Sequence, residues 1–201
     1  HEVHHRVKNN LQIVSSLLNM QARRASPEIA SAFSECQTRI RAMALVHQLL
    51  YESDNMAEVD LGLYLSQLST LSRASYDDEQ TKVTIQFNGP DQKILIDVQR
   101  AIPCGLIVSE LILNAYKHAF IDRPKGSIQI ELKKQAPQHF QLVVADDGCG
   151  LPDNFDWKSR KGLGTQLVPM FAQQLKAKLH HATDSKGSRF YFDIPIALEE
   201  N

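Results

Sequence analysis

The feature that most constrains the fold of this chain is a polar stripe inside an apolar helical segment, residues 106–119. The residues between the polar positions are apolar on nearly every side, which is typical of a helix packed into a core. Buried polar groups need partners. The four polar side chains of this segment can satisfy one another only in part, so the pattern favours a bound, charged ligand with a cation. The alternative is a half-exposed amphipathic helix with ion pairs on its wet side. The stripe consists of positions i, i+4, i+7 and i+8 of one helix face: Glu110, Asn114, Lys117 and His118.

Composition and charge exclude several classes of function. The 201 residues are 43% hydrophobic and 22% charged, as in a soluble protein of one large or two small domains. A formal net charge of -1 gives no general attraction to nucleic acid or to anionic membranes, so no nucleic-acid partner is predicted. No apolar run reaches the ~18 residues of a membrane span, so no membrane segment is predicted in this fragment. Three widely spaced cysteines without a metal-ligand spacing favour reduced thiols, a cytoplasmic location and no zinc site: Cys36, Cys104 and Cys149.

The first 52 residues have the pattern of a helical hairpin. Apolar residues recur in steps of four and three from His1 to Arg24, which predicts a long helix: Val3, Val7, Leu11, Val14 and Leu18. Ser26, Pro27 and Glu28 are typical of a new helix start. The second helix continues the pattern, so the two should pack antiparallel along an apolar seam: Ile29, Phe33, Cys36, Ile40, Met43 and Leu50. Two helices cannot bury this seam alone, so a second copy, the following domain or a missing segment should cover it.

The remaining chain alternates strands and helices. The polar stretch Ser53 to Glu58 reads as a linker, which divides the chain into domains 1–56 and 57–201, and Asp60 is placed to cap a helix. The fold class predicted is α+β: the hairpin followed by an α/β two-layer sandwich with helices over one face of a mixed sheet. The apolar strand 140–145 should be central in that sheet. The other predicted elements are strands at 81–87, 93–96 and 127–132, a helix at 165–178, and a closing hairpin of strands 179–182 and 188–194.

Two glycine clusters are candidates for the two ends of a nucleotide site. Asp146 to Gly150 follows the central strand directly, so a carboxylate can accept from an exocyclic amine while Gly148 and Gly150 let the backbone approach a flat ring. Lys161 to Thr165 opens a helix whose first amides suit a polyphosphate. Each cluster alone is weak, because Asp-Gly turns are common and a Gly-Leu-Gly can be a plain helix-entry loop. The two clusters together, in this order along the chain, indicate a nucleotide site far more specifically than either one does.

These strings resemble the histidine kinases of two-component signalling. Residues 60–196 are similar to the ATP-binding domain of the gyrase, heat-shock chaperone, histidine kinase and MutL superfamily (the GHKL or Bergerat fold). Glu110 to Phe120 is similar to its N box, 146–152 and 162–165 to two glycine boxes, and 187–190 to a weaker third. The loop 153–161 is short for a kinase lid, and its Phe155 and Trp157 do not place the aromatic box of many members.

The resemblance implies ATP and Mg²⁺ as cofactors. It implies that Asn114 holds Mg²⁺, that Lys117 and His118 reach the phosphates, and that Asp146 accepts from the adenine amino group. Glu110 is assigned to the Mg²⁺ and water shell. The other cofactor-binding positions implied are Gly148, Gly150, Lys161, Gly162, Gly164 and Thr165.

The start of the chain, Glu2 to Gln12, resembles the H box of the subfamily marked by His-Arg-x-Lys-Asn, to which the HWE kinases are related. His5 projects about 200° from the seam at Val3 and Val7, onto the outward surface. Glu2 at i-3 can hold one ring nitrogen and leave the other as nucleophile, and Asn9 lies at i+4. His5 is therefore the predicted phosphoacceptor, with Glu2 as its orienting base and Asn9 as a helper.

The predicted function is a histidine protein kinase that phosphorylates its own histidine from ATP and passes the phosphoryl group to an aspartate of a response-regulator receiver domain. A homodimer through the hairpin is expected, and a monomer is left open. So is membrane attachment of the full-length protein through a missing N-terminal sensor. One alternative is an ATP-silent phosphotransfer or scaffold protein, against which the intact Asn114 and Asp146 argue. Another is a free ATPase or serine kinase, which has no use for a hairpin with His5.

Overall fold

The computed structural model describes residues 2–52, 57–76, 82–121, 123, 125–152, 155, 163–184 and 186–196. The chain begins with α1 (Glu2–Ala22) and α2 (Pro27–Glu52), which form the antiparallel hairpin predicted from the seam. The Ala30 amide donates to the Ser26 carbonyl (2.8 Å), so α2 starts where the sequence placed it. The Gln37 side-chain amide donates to the Ser15 carbonyl (3.3 Å), which sets these two positions level across the hairpin.

The two ends of the hairpin differ in burial. The second half of α2 is buried in the main core through Ala42, Leu45, Val46, Leu49 and Leu50. The first half and α1 leave much of the seam open: Val14 is 44% exposed and Ile29 is 52% exposed. Ile13, Leu17 and Met20 add to this exposed apolar surface. The prediction that two helices cannot cover the seam alone is confirmed for this end of the hairpin.

A small two-stranded sheet leads into the second part of the chain. β1 (Glu58–Asp60) pairs antiparallel with β3 (Leu95–Asp97), so Glu58 lies in a strand that the sequence did not predict. The Asp60 carboxylate accepts from the Gly62 and Leu63 amides (3.0 and 3.3 Å) and thereby caps α3 (Leu61–Tyr76), as predicted. Asp97 caps α4 (Val98–Asn114) in the same way through the Arg100 amide (3.0 Å).

The large sheet has the strand order β2-β4-β5-β7-β6, with β2 (Lys82–Asn88) parallel to β4 (Lys125–Ala136) and the other pairs antiparallel. The middle strand is β5 (His139–Asp146), which confirms its predicted central place. β6 (Lys178–Asp184) and β7 (Gly187–Pro195) form the closing hairpin. In β4 and β7, side chains such as Ile130 and Phe192 are buried while the residues beside them along the strand are half-exposed, whereas in β5 the residues from Leu142 to Ala145 are all buried. Helices therefore cover one face of a mixed sheet, as expected.

Two helices end differently from the prediction. α5 (Leu163–Gln174) stops before residue 178, because Lys176 adopts a left-handed φ of 52° and the Ala177 amide closes back on the Ala172 carbonyl (2.8 Å). After α4 the chain widens into a π-helical turn, Ala115–Ala119. The resulting segment Val98–Ala119 is long and apolar enough to cross a membrane, but 78% of its most apolar window is buried, as in a core helix.

Candidate functional site

A cavity of about 750 Å³ lies where α4, the π turn, the end of β5 and the start of α5 meet. Its volume is typical of a small-molecule or cofactor site. Apolar side chains form part of the wall, among them Leu113, Leu151, Phe155 and Phe190. The structure also brings into this wall most of the residues singled out in the nucleotide-binding part of the sequence: Glu110, Asn114, Lys117, His118, Asp146, Gly150, Gly164 and Thr165.

The four residues of the polar stripe lie on two types of helix. Glu110 and Asn114 lie on the last turns of α4, whereas Lys117 and His118 lie in the π turn that follows. A π turn widens the helix by one residue and is frequent at functional sites. The four side chains nevertheless line one cavity, which is the shared face that the spacing predicted.

Glu110 has a protein partner that the sequence did not reveal. Its side chain is 1% exposed, and its carboxylate receives two hydrogen bonds from the Arg39 guanidinium, Nε to Oε1 at 2.5 Å and Nη2 to Oε2 at 3.0 Å. Burial lowers the pKa of Arg39, but the hydrogen bond and charge of Glu110 outweigh burial, so this pKa is raised. Both carboxylate oxygens are therefore engaged by α2, and the assignment of Glu110 to a Mg²⁺ shell stays a prediction.

Lys117 is also held by α2. Its ammonium pairs with the Glu35 carboxylate, and Glu35 in turn lies 3.6 Å from Arg39. Glu35, Arg39, Glu110 and Lys117 therefore form a continuous row of alternating charge between the hairpin and the cavity, which we call the α2 charge row. Glu35 and Arg39 stand one turn apart on α2, but nothing in the local sequence pairs them with Lys117 and Glu110, which lie 82 and 71 positions later in the chain.

Asp146, the last residue of β5, lines the same cavity. Its Oδ1 accepts from the Gly148 amide at 2.9 Å. Burial raises the pKa of Asp146, and hydrogen bonds from the Gly148 and Ser188 backbones oppose this shift. The neighbouring Asp147 instead accepts from the Ser127 amide (2.7 Å) and ties β5 to β4. Of the two adjacent carboxylates, Asp146 is the one that lines the cavity.

The glycines after β5 have packing reasons that the sequence interpretation did not include. A Cβ at Gly148 would lie 2.4 Å from the Ala119 Cβ, and Gly148 lies next to the cavity wall rather than in it. Gly150 has a φ of 76° and a Cβ there would lie 2.2 Å from the Asp184 carbonyl oxygen. Both positions therefore exclude a side chain because protein atoms approach closely, while Gly150 also lines the cavity.

The start of α5 approaches the polar stripe. Gly164 and Thr165 lie in its first turn and line the cavity. A Cβ at Gly164 would lie 2.8 Å from Glu110 Oε2, so the glycine permits close contact between α5 and α4. Lys161, Gly162 and the predicted lid 153–161, with the exception of Phe155, lie outside the described residues.

The predicted phosphoacceptor lies on the hairpin. The backbones of Glu2 and His5 belong to the first turns of α1, and their side chains are outside the described part of the chain. Asn9 is exposed one turn further along the same helix. The roles given to these three residues remain predictions.

The donor set can be tested for Mg²⁺. Among the described residues, no cluster of three or more His, Cys, Asp or Glu side chains could hold a metal ion. Asn114 offers one amide oxygen to the cavity. A single protein ligand fits Mg²⁺ that is bound mainly by phosphate oxygens and water, as is usual for nucleotide complexes.

Comparison with known families matches both parts of the chain. A family profile described as "Histidine kinase" matches residues 2–76. A second, described as "Histidine kinase-, DNA gyrase B-, and HSP90-like ATPase", matches residues 99–198.

Curated relatives agree with these profiles. The chain is 30% identical over 207 residues to blue-light-activated histidine kinase 2 of Erythrobacter litoralis, with 99% of this chain and 57% of that protein covered. It is 34% identical over 199 residues to the sensor histidine kinase PdtaS of Mycolicibacterium smegmatis, with 97% and 39% covered. The chain thus spans little more than half, or less, of the length of these relatives.

Solved structures share the fold. The histidine kinase domain of an Erythrobacter litoralis blue-light activated histidine kinase superimposes with a TM-score of 0.71 at 29% identity, covering 97% of this chain and 92% of that one. The Acinetobacter baumannii histidine kinase AdeS has a TM-score of 0.56 at 16% identity, covering 85% and 82%, which supports the fold alone. Because the two profiles and the relatives together span nearly the whole sequence, the chain belongs to the histidine kinase family.

Proposed function

We propose that this chain is the kinase region of an ATP-dependent protein-histidine kinase. It transfers the γ-phosphoryl group of ATP to His5 and then to an aspartate of a response-regulator receiver domain. The observation that carries the proposal is the cavity itself, whose wall combines a partly buried carboxylate, Asp146, with a cationic side chain, Lys117, and the helix start at Thr165. A base and a polyphosphate need these two kinds of group in one site.

The residues present fit ATP and Mg²⁺. The ionised Asp146 accepts a hydrogen bond from the adenine amino group, and the apolar wall packs against the ring. Lys117, His118 and the first amides of α5 face the polyphosphate. Asn114 supplies one ligand to a Mg²⁺ ion, which neutralises phosphate charge when it is bound.

In the proposed reaction a ring nitrogen of His5 attacks the γ-phosphorus while the bond to the β–γ bridging oxygen breaks, so ADP leaves with that oxygen. Phosphoryl transfer asks the protein mainly to position reactants and balance charge. Glu2 holds the other ring nitrogen, and Asn9 lies beside the transferred group. The receiver aspartate takes the phosphoryl group in a second in-line step.

Homodimerisation is part of the proposal. The apolar residues left exposed on the hairpin, including Val14, Leu17 and Ile29, suit a second copy that completes a four-helix bundle. A cytoplasmic location fits the unpaired cysteines. The molecular mass measured in solution tests the assembly. Twice the mass of one chain is expected, and the mass of one chain at high protein concentration would show that the chain is a monomer.

The alternative, an ATP-silent phosphotransfer or scaffold protein, is separated by one assay. The protein is incubated with Mg²⁺ and γ-labelled ATP, and the protein-bound label is treated with acid or base. A kinase of this kind retains label that survives base and is lost in acid, because phosphohistidine has that stability. Acid-stable label or free phosphate alone would contradict the proposal, and the absence of any turnover would support the scaffold.

A further inference from the structure

The α2 charge row suggests that the hairpin takes part in nucleotide binding. We propose that Glu35 belongs to the nucleotide site and competes with the phosphates of the nucleotide for Lys117. The proposal rests on the function proposed above, and it adds a residue that lies outside the ATP-binding part of the chain. Glu35 lines the same cavity as Lys117 and Asn114.

The position of Glu35 is set by the buried half of α2. Ala42 is fully buried, and its carbonyl accepts a hydrogen bond from the hydroxyl of Tyr64 (3.1 Å). Arg39 lies about one turn before Ala42 and Glu35 one turn before Arg39, so both project from an anchored helix. The Arg39–Glu110 hydrogen bonds add a second anchor directly beside Glu35.

The charges of the row do not balance once a polyphosphate is present. Arg39 is committed to Glu110, whose carboxylate is almost fully buried, so Lys117 is the more available cation: its side chain is 38% exposed. A triphosphate would bring several negative charges next to the Glu35 carboxylate, and like charges at this range repel. Arg39, whose Nη2 lies 3.6 Å from Glu35 Oε2, can still pair with the Glu35 carboxylate when Lys117 binds the phosphates instead.

Competition of this kind is reciprocal. If the Glu35–Lys117 pair weakens phosphate binding, then phosphate binding weakens the pair by the same factor. The first half of α2, which packs along α1 and carries Glu35, thereby becomes sensitive to the occupancy of the cavity. Conversely, a movement of this half of the hairpin changes the affinity for nucleotide.

The test compares Glu35→Gln with wild type and with Glu28→Gln, a matched change on the exposed first turn of α2. Calorimetry measures the binding of a non-hydrolysable ATP analogue with Mg²⁺ and, separately, of adenosine. Glu35→Gln is expected to bind the ATP analogue roughly two- to fivefold more tightly, the range of one partly exposed ion pair. Its affinity for adenosine should be unchanged, because adenosine has no phosphate to reach Lys117, and Glu28→Gln should match wild type for both ligands.

Two outcomes would overturn the inference. Equal or weaker binding of the ATP analogue by Glu35→Gln would show that Glu35 does not compete with the phosphates. Weaker binding would indicate instead that Glu35 positions Lys117 for the phosphates. An equal gain for adenosine would show a general effect on the cavity. If wild type binds neither ligand, the proposed function itself fails. If wild type binds the ATP analogue and Glu35→Gln binds it equally well, only the inference about Glu35 fails. Thermal unfolding of the three proteins verifies that each is folded.

Discussion

Tyr64 of α3 lies directly against Gly105 of α4, where a Cβ would be 1.9 Å from the Tyr64 hydroxyl oxygen. The same hydroxyl donates to the Ala42 carbonyl of α2 (3.1 Å). Burial raises the pKa of this tyrosine strongly, so it stays a neutral donor. One side chain thereby fixes the spacing between α4, which carries the polar stripe, and α2, which carries Glu35 and Arg39.

Gly105→Ala should therefore destabilise the protein, since neither the tyrosine ring nor the helix backbone can move away without opening the core. A loss of roughly 1–3 kcal/mol in the free energy of unfolding is expected for overpacking of this kind. Urea denaturation monitored by circular dichroism measures it. Gly62→Ala is the control, because the nearest atom to a Cβ there is 3.3 Å away and α3 gains a better helix former. Equal stability of the two variants would contradict the packing at Gly105.

Arg39→Met should be more damaging than the removal of an ordinary surface charge. It leaves the Glu110 carboxylate buried without its two hydrogen bonds, and breaking a buried pair on one side costs about 3–5 kcal/mol of stability. Adding Glu110→Gln to Arg39→Met should recover part of the loss. The double-mutant cycle in chemical denaturation measures the coupling, and a coupling near zero would show that the pair is not formed in solution.

Asp146→Asn is expected to abolish tight ATP binding while leaving the fold intact. The asparagine oxygen can still accept from the Gly148 amide, but its NH₂ group can face the adenine amine as a donor where an acceptor is needed. Calorimetry measures the affinity. Asp147→Asn is the matched control, because Asp147 bonds the Ser127 amide and should keep nucleotide binding. Unchanged affinity of Asp146→Asn would remove this carboxylate from the site.

The raised pKa of Asp146 predicts how adenosine binding varies with pH. Only the ionised carboxylate is the required acceptor, so affinity should fall on acidification, beginning above the usual aspartate pKa of about 4. The pH dependence of folding stability has the opposite sign, because burial disfavours the ionised form. The contribution of Asp146 to stability is full below its pKa in the unfolded state and is lost as pH rises through its pKa in the folded state. Calorimetric titration of wild type with adenosine across this pH range tests the first expectation, and chemical denaturation of wild type and Asp146→Asn at the same pH values tests the second. A flat difference between the proteins would contradict the shift.

His5→Gln should eliminate the acid-labile label, because the proposed nucleophile is absent. His4→Gln should keep a measurable share, since His4 has no acid at i-3 and is not the predicted acceptor. The assay is protein-bound radioactivity after incubation with γ-labelled ATP, followed by acid treatment. Label retained by His5→Gln and lost by His4→Gln would move the phosphoacceptor to His4.

The elements with strong periodicity were predictable from the sequence. The hairpin, the α4 stripe and the central place of β5 follow from apolar spacing, which the chain records locally. β1 was missed because three residues are too few to show alternation, and the π turn because its residues fit an ordinary helix equally well.

The partners in the site were less accessible to prediction. Glu110 and Arg39 come together only after the hairpin folds onto α4, and the spacing of neither residue indicates the other. The polar stripe indicated that Glu110 needs a partner, but not whether that partner is a ligand or a distant arginine. Gly148 was interpreted through a ligand, whereas the close approach of Ala119 is sufficient to require it.

The buried stretch from Ala42 to Leu50 also affects how such a protein can be recombined. These residues share a core with α3 and α4, although they precede the polar segment at 53–56 by several residues. A chimera joined at that segment would pack the last turns of a foreign hairpin against this core and lose complementary contacts. A junction before Glu35 would instead transfer only the open part of the hairpin, with its exposed apolar seam, and would keep Glu35, Arg39 and the buried stretch together with the nucleotide site.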